Sequence, residues 1–302
     1  MKKNRLGTSD LYVSEIGLGC MSLGTEEKEA ARLVHEALDR GINFLDTADL
    51  YDGGLNEELV GKAVKGRRCD VILATKVGNR RIPGKEGLSW DPSKAYIMSA
   101  VKESLKRLQT DYIDLYQLHG GTLDDPIDET IEAFEALKQE GVIRNYGISS
   151  IRPNVIREYV KRSHIVSVMS QYSILDRRPE EEVLPLLAEK EISVIARGPV
   201  ASGVLAEAGA GKVGKGYLDY SPEELQQIRG KLESLVQPER SMSQTAIRYS
   251  LGQPVVAAAI PGASSLKQLV HNAEASESPK LSPEELNMIR SISRANVYTA
   301  HR

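Results

Sequence analysis

The chain has 302 residues, long enough for one large α/β barrel or two ordinary domains. Its formal charge of -3, with both signs well mixed, gives no electrostatic case for nucleic acid or an anionic membrane as partner. No apolar run reaches membrane-spanning length, and the start "MKKNRLGTSDLYVSEIG" turns polar before a signal-peptide core forms. Cys20 and Cys69 suggest neither a disulfide framework nor a zinc site, so a cytoplasmic protein is expected.

In chain order, "NRLGTSDLYVSEI" predicts a hairpin around Gly7–Asp10, placed to plug the bottom of a barrel. From about residue 16, short β-branched runs alternate with helical patterns. Strands are predicted at Ile16–Cys20, Ile42–Leu45, Val71–Thr75, Ile113–Leu118, Tyr146–Ile148, Ile165–Met169, Ile192–Ala196 and Val255–Ile260. They are near-continuously apolar, as when helices cover one face and a packed interior fills the other. Eight such units predict a single (β/α)8 TIM barrel domain over residues 1–302.

The helices carry their own punctuation. "TEEKEAARLVHEALDRG" has Thr25 as predicted N-cap and Gly41 as stop, and "DETIEAFEALKQEG" ends at Gly141 with Ile131, Phe134 and Leu137 on one stripe. "SPEEL" at Ser221 and again at Ser282 predicts two capping boxes. Two connections are long for a barrel, "GNRRIPGKEGLSWDPSKA" after the third strand and "VASGVLAEAGAGKVGKGYLDY" after the seventh. Both follow strand C-termini, the active face of such barrels, so both are expected to be functional.

Four reactive side chains fall just past three successive strands: Asp46 and Tyr51 in "INFLDTADLY", Lys76 in "VILATK", His119 in "IDLYQLH". Singly, each is as well explained as a cap, a solvated charge or a structural ring. Their joint fall at strand ends that a barrel gathers onto one face argues for chemistry. A free phenol titrates near ~10. An adjacent ammonium lowers that value, so Lys76 is expected to make Tyr51 a usable acid, with Asp46 holding Lys76 charged. His119 is expected to orient the substrate oxygen. The set suits protonating an oxygen as a carbonyl becomes an alcohol, and it contains no reductant, so a hydride cofactor is required.

Other strand ends offer a place for one. Ser149, Ser150 and Gln171 can pair with a carboxamide. "IPGASSLKQLVHN" turns through Gly262 into a helix that Ser264 or Ser265 can cap, an anion site to which Lys267 and Gln268 add. From Pro261 to Asn272 there is no acid to clamp a free ribose diol, which favours NADPH over NADH. "GLGCMSLG" is not a dinucleotide fingerprint, because Ser22 stands where the third glycine belongs. No His and carboxylate cluster suggests a metal.

With these residues in hand, the chain resembles the aldo-keto reductase family over nearly its whole length, through "IGLGCM", "NFLDTADLY", "LATKVG", "YIDLYQLH", "KQEGVIRNYGISS", "MSQYSIL" and "AAIPGASS". The resemblance implies a TIM barrel that binds extended NADPH and reduces small aldehydes or ketones without metal. It assigns Tyr51 as general acid/base, Asp46 and Lys76 as its tuning pair, and His119 as orienter. It implies cofactor contacts from Gly19, Cys20, Met21 and Asp46, and from Ser149, Ser150 and Gln171. Further contacts are implied from Arg197, Gly198, Pro199, Val200 and Ser202, and from Gly262, Ser264, Ser265, Lys267, Gln268 and Asn272.

The sequence departs from the family pattern in four places. Ser150 replaces a usual Asn, "QLHGG" replaces His-x-x-Asp and loosens that loop, the phosphate segment lacks a frequent Arg, and Arg197 stands where an aromatic ring commonly stacks on the nicotinamide. Stacked there, the Arg197 charge is expected to disfavour the cationic oxidised ring; swung aside, it would meet the pyrophosphate instead. The segment Val200–Tyr220 is expected to clamp the cofactor, and Trp90, the only tryptophan, to wall the substrate pocket. Some relatives are cofactor-sensing subunits with slow turnover, so a sensor is the alternative to a reductase. Oligomeric state is not legible.

Overall fold

The predicted hairpin forms: β1 (Lys3–Arg5) pairs antiparallel with β2 (Tyr12–Ser14), in a computed structural model that describes residues 1–82 and 87–302. Eight parallel strands come after it: β3 (Leu18–Gly19), β4 (Phe44–Asp46), β5 (Ile72–Val77) and, after a second hairpin of β6 (Asn79–Arg81) and β7 (Leu88–Trp90), β8 (Ile113–His119), β9 (Ile143–Ser149), β10 (Ser167–Gln171), β11 (Ser193–Arg197) and β12 (Val256–Ile260). Their order runs in sequence from β3 to β12. Parallel bridges Ile16 to Ala259 and Gly19 to Gly262 join the two ends and close the barrel.

Side chains alternate along each strand, so inward and outward sets separate cleanly. Phe44, Ile72, Leu115, Met169 and Ile195 point inward and cluster with Leu6, Leu11 and Val13, which puts the N-terminal hairpin under the barrel as its plug. Phe44, Leu115 and Ile195 are fully buried, each contributing roughly 1.5–3 kcal/mol. Leu45, Leu73, Leu118 and Val168 face outward into the larger cluster shared with the helices.

The helices are α1 (Glu27–Asp39), α2 (Leu55–Ala63), α3 (Lys94–Leu108), α4 (Ile127–Gln139), α5 (Pro153–Arg162), α6 (Val183–Glu189), α7 (Pro222–Glu233), α8 (Met242–Leu251), α9 (Leu266–Glu274) and α10 (Pro283–Ile292). Both SPEEL boxes close as expected, Ser221 with Glu224 and Ser282 with Glu285. Gly41 and Gly141 stop their helices at φ 84° and 75°, values only glycine takes without strain. Thr25 is not the cap: the N-cap of α1 is the next residue, Glu26, without a side-chain cap bond. A third capping box, Ser241 with Gln244, opens α8.

All eight barrel strands form with bounds shifted by one to three residues from those expected, and three of the shifts are instructive. β3 is only two residues long because Cys20 already enters a 3-10 turn. β9 starts at Ile143, since Arg144 and Asn145 stay in the ladder by bonding Asp114 and the hairpin residue Asp10. β10 is shifted toward Gln171, running over polar Ser170. The connection after β5 is partly a hairpin, not a loop; its residues 83–86 lie outside the described residues. The connection after β11 holds 3-10 turns at Ala201–Gly203 and Glu207–Lys215. Among the described residues no helix is long and apolar enough to cross a membrane.

Candidate active site

The inward face of the barrel changes from apolar to charged within one layer. On β4, Phe44 is followed two residues later by Asp46; on β5, Ala74 by Lys76; on β8, Leu115 by Gln117 and then His119. Lys76 is 1% exposed, and desolvating its ammonium is costly unless every donor is used. All three are: Nζ donates to Asp46 Oδ2 at 2.7 Å, to the Thr47 carbonyl at 2.6 Å and to the Tyr51 hydroxyl at 3.3 Å. Gln117 Nε2 steadies the other Asp46 oxygen at 3.3 Å. Tyr51 enters from the 3-10 turn after β4, and its ring meets His119 edge-on at 6.1 Å.

Burial works against the charge on Lys76, yet Asp46 and the phenol outweigh it and raise its pKa, so the ammonium is retained. Burial likewise raises the Asp46 carboxyl, with Lys76 and Gln117 opposing. The expectation of an acidified phenol is not met: burial pushes Tyr51 above its ordinary value, and Lys76 offsets this only in part. At neutral pH Tyr51 is therefore a protonated donor. His119 falls to about 3 through burial and the Lys76 and Arg197 charges, so its imidazole is neutral. His119 Nδ1 is buried without a partner.

These groups open into a cavity of about 1120 Å³, larger than a drug-sized pocket. Of the residues the sequence singled out, Gly19, Met21, Asp46, Tyr51, His119, Ser149, Ser150, Arg197, Gly198, Pro199, Val200, Ser202, Gly262, Ser264, Gln268 and Asn272 line it. Five stand behind or beside the lining. Lys76 lies beneath Tyr51, and Cys20 turns Sγ to the Leu18 carbonyl. Ser265 caps α9 through the Gln268 N–H, and Lys267 is exposed. Gln171 is engaged at both ends of its amide, by Arg197 at 2.9 Å and the Tyr217 hydroxyl at 3.0 Å. Asn272 Nδ2 bonds the Gly262 carbonyl and fixes the turn into α9, while Ser264 donates its N–H and hydroxyl to Gln268 Oε1.

Several lining residues were not foreseen. Asn79 donates to the His119 carbonyl at 2.9 Å. Trp90 does line the cavity, its indole seated over Gly78 and Gly120, where a Cβ would lie 2.6 Å and 3.1 Å from the ring. Its Nε1 donates to Asp125, which also takes the Thr122 N–H and hydroxyl, so the loop after His119 is pinned rather than loosened. Glu207 enters from the connection after β11. An acid therefore reaches the cavity wall from outside Pro261–Asn272, but not as a free one. Its carboxylate is committed to the Ser243 N–H and hydroxyl at the start of α8, with His271 Nε2 at 3.3 Å. Burial opposes its charge, but these bonds hold Glu207 down at about 2. Among the described residues no three His, Cys, Asp or Glu gather as a metal site.

The profile described as the Aldo/keto reductase family matches residues 15–294. The chain is 60% identical to the uncharacterized oxidoreductase YqkF of Bacillus subtilis (strain 168), with all of both chains covered. It superposes on the holo form of aldo-keto reductase AKR11C1 from Bacillus halodurans with a TM-score of 0.95, at 61% identity over 100% of this chain and 99% of that one. An aldo/keto reductase from Klebsiella pneumoniae, solved in complex with NADP and acetate, matches with a TM-score of 0.79 at 28% identity, over 99% and 98% of the two chains. The buried lysine–carboxylate pair, the tyrosine it contacts and the neighbouring histidine are therefore carried on a chain that belongs to the aldo/keto reductase family, an oxidoreductase.

Proposed function

We propose that this chain reduces aldehydes or ketones to alcohols with NADPH, Tyr51 giving the proton to the carbonyl oxygen. Bound NADPH supplies the hydride received by the carbonyl carbon. The observation that carries the reading is the buried line Asp46–Lys76–Tyr51 ending at the cavity beside His119.

Each residue has a separable task. His119, neutral and lining the cavity beside Tyr51, orients the substrate oxygen without competing for the proton. Tyr51 is protonated at neutral pH and donates as charge develops on that oxygen. The phenolate left behind is stabilised by the Lys76 ammonium, which Asp46 keeps charged and aimed, until solvent restores the proton. Trp90 and Leu50 give the substrate side an apolar wall.

The cavity suits a dinucleotide. Gly262 leaves room where a Cβ would press to 2.6 Å from Ser22 Oγ, and Ser264, Gln268 and Asn272 surround the start of α9. Ser149 and Ser150 would take the carboxamide end, Arg197 would border the nicotinamide, and Gly198 through Ser202 would meet the pyrophosphate side. Among the described residues that line the cavity the acids are Asp46, held by Lys76, and Glu207, held by Ser243 and His271, so neither is free for a ribose diol, which favours the 2′-phosphorylated cofactor. The test monitors the absorbance of NADPH with 4-nitrobenzaldehyde, with and without chelator, in the protein and its Tyr51→Phe variant. Chelator-resistant oxidation that Tyr51→Phe reduces about 100-fold or more is expected; cofactor binding without turnover would instead make the protein a sensor.

A further inference from the structure

Most arginines here are neutralised by carboxylates, including the buried pairs Arg240–Glu285 and Arg248–Glu15. Two that line the cavity, Arg152 and Arg197, have no carboxylate within ion-pair distance among the described residues. Arg197 is held by Gln171. Arg152 is half-buried just beyond β9, and among the described residues its one side-chain hydrogen bond runs from Nη1 to the Gly121 carbonyl at 2.7 Å. A guanidinium has five N–H groups in a planar fork, so most of its donors are left without a protein partner.

Its position separates it from the cofactor's phosphates. In the eight-stranded ring β9 stands four strands from β3, on the opposite side, whereas α9 starts after β12, beside β3. Gly121 follows His119 by two residues, a span of at most about 7 Å. Arg152 therefore borders the end of the cavity where His119 and Tyr51 meet a carbonyl, with Trp90, Gly120 and Ile151 as its neighbours in the wall. The acid on this side, Asp125, is already taken by Trp90 and Thr122.

The geometry points to a substrate that carries an anionic group, a carboxylate or a phosphate, a few bonds from its reacting carbonyl, held by the Arg152 fork. The net positive lining would draw such a substrate in, since Arg152, Arg197 and Lys212 outnumber Asp46 and Glu207, and Lys76 beneath Tyr51 offsets the Asp46 charge. This inference rests on the reductase reading above.

The test compares succinic semialdehyde, glyceraldehyde 3-phosphate and neutral butyraldehyde as substrates of the protein and its Arg152→Met and Arg152→Lys variants. The unaltered protein should prefer at least one anionic aldehyde over butyraldehyde by about 10-fold or more in kcat/KM. Whichever is preferred identifies the head group. Arg152→Met should lower that preference about 10- to 100-fold, mainly through KM, and Arg152→Lys should recover part of it. Equal losses on charged and neutral aldehydes, or no preference at the outset, would overturn the assignment. Trp90, the only tryptophan, allows a second readout that needs no turnover, its quenching by 4-hydroxybutyrate, an anionic alcohol product. Quenching that weakens about 10-fold or more in Arg152→Met supports the anion site even if no aldehyde is reduced, a result that would sink the reductase reading alone. Quenching that is indifferent to Arg152 counts against the site.

Discussion

Arg197 on β11 and Gln171 on β10 are register partners, and the guanidinium donates to the amide oxygen at 2.9 Å. The pairing fixes a positive charge in the cavity wall whose field reaches Asp46, Tyr51 and His119. An oxidised nicotinamide is cationic and a reduced one neutral, so this charge disfavours only the oxidised form. Arg197→Tyr should therefore strengthen NADP+ binding relative to NADPH by about 3- to 10-fold, as expected for one charge a few ångströms off in a partly wet site. Fluorescence titration of the two cofactors measures the ratio, and an unchanged ratio removes Arg197 as its cause.

The Lys76–Asp46 pair makes a prediction that separates catalysis from stability. Lys76→Met leaves a carboxylate buried with only Gln117 as partner, which should cost about 3–5 kcal/mol along with nearly all reductase activity. Adding Asp46→Asn removes the stranded charge, so the double variant should recover much of the stability and none of the activity. Urea midpoints and NADPH oxidation, measured on the same preparations, give the two answers.

Why that pair was visible in advance, and Arg152 was not, comes down to periodicity. All eight barrel strands announced themselves because outward and inward faces are both apolar over most of their length, and Asp46, Lys76 and His119 stood out as the first polar residues after such runs. Gln117 was hidden inside a run, although its two-residue spacing from His119 puts it on the same face. Arg152 and Glu207 sit on connections, where no repeat fixes direction and only the folded chain decides what each side chain meets, and Asn79 opens a short hairpin strand inside a segment read as a loop. The phenol of Tyr51 was misjudged for a related reason: sequence shows the neighbouring ammonium and not how much water the fold removes.

Two buried groups couple stability to pH with opposite signs. His119 is depressed from 6.5 to about 3 by burial, then by Lys76 and Arg197. Below pH 6.5 the unfolded chain takes up a proton that the folded chain refuses, so stability is lost as pH falls from 6.5 toward 3, at about 1.4 kcal/mol per unit. Asp49 is raised from 3.8 to about 7 by burial and by Glu57, against Arg107 and Lys76, and its Oδ1 has no partner. The folded chain binds this proton first, so Asp49 costs stability as pH rises from 3.8 to 7. Between those limits the slopes nearly cancel. Asp49→Asn should raise the urea midpoint at pH ~8 and lose that advantage by pH ~4, while His119→Asn should flatten the acid limb. Identical pH profiles for both variants would refute the assignment.

The connection over the cavity is loosely held around Lys212, and its closure is testable. Glu207 ties it to the start of α8, Arg229 reaches the Ala206 carbonyl at 2.9 Å, and among the described residues the Lys212 ammonium meets only the Ser202 carbonyl at 3.4 Å. Lys212 and Lys215 are exposed, which makes this segment a trypsin target. An anionic cofactor beneath it would engage Lys212, so NADPH should slow cleavage at both lysines several-fold. Glu207→Gln weakens the tie by removing the charge that the helix terminus and His271 hold, and should speed cleavage without cofactor while leaving NADPH still able to protect. Cleavage at an unchanged rate with and without NADPH, in either protein, would mean that the segment does not close over the cofactor.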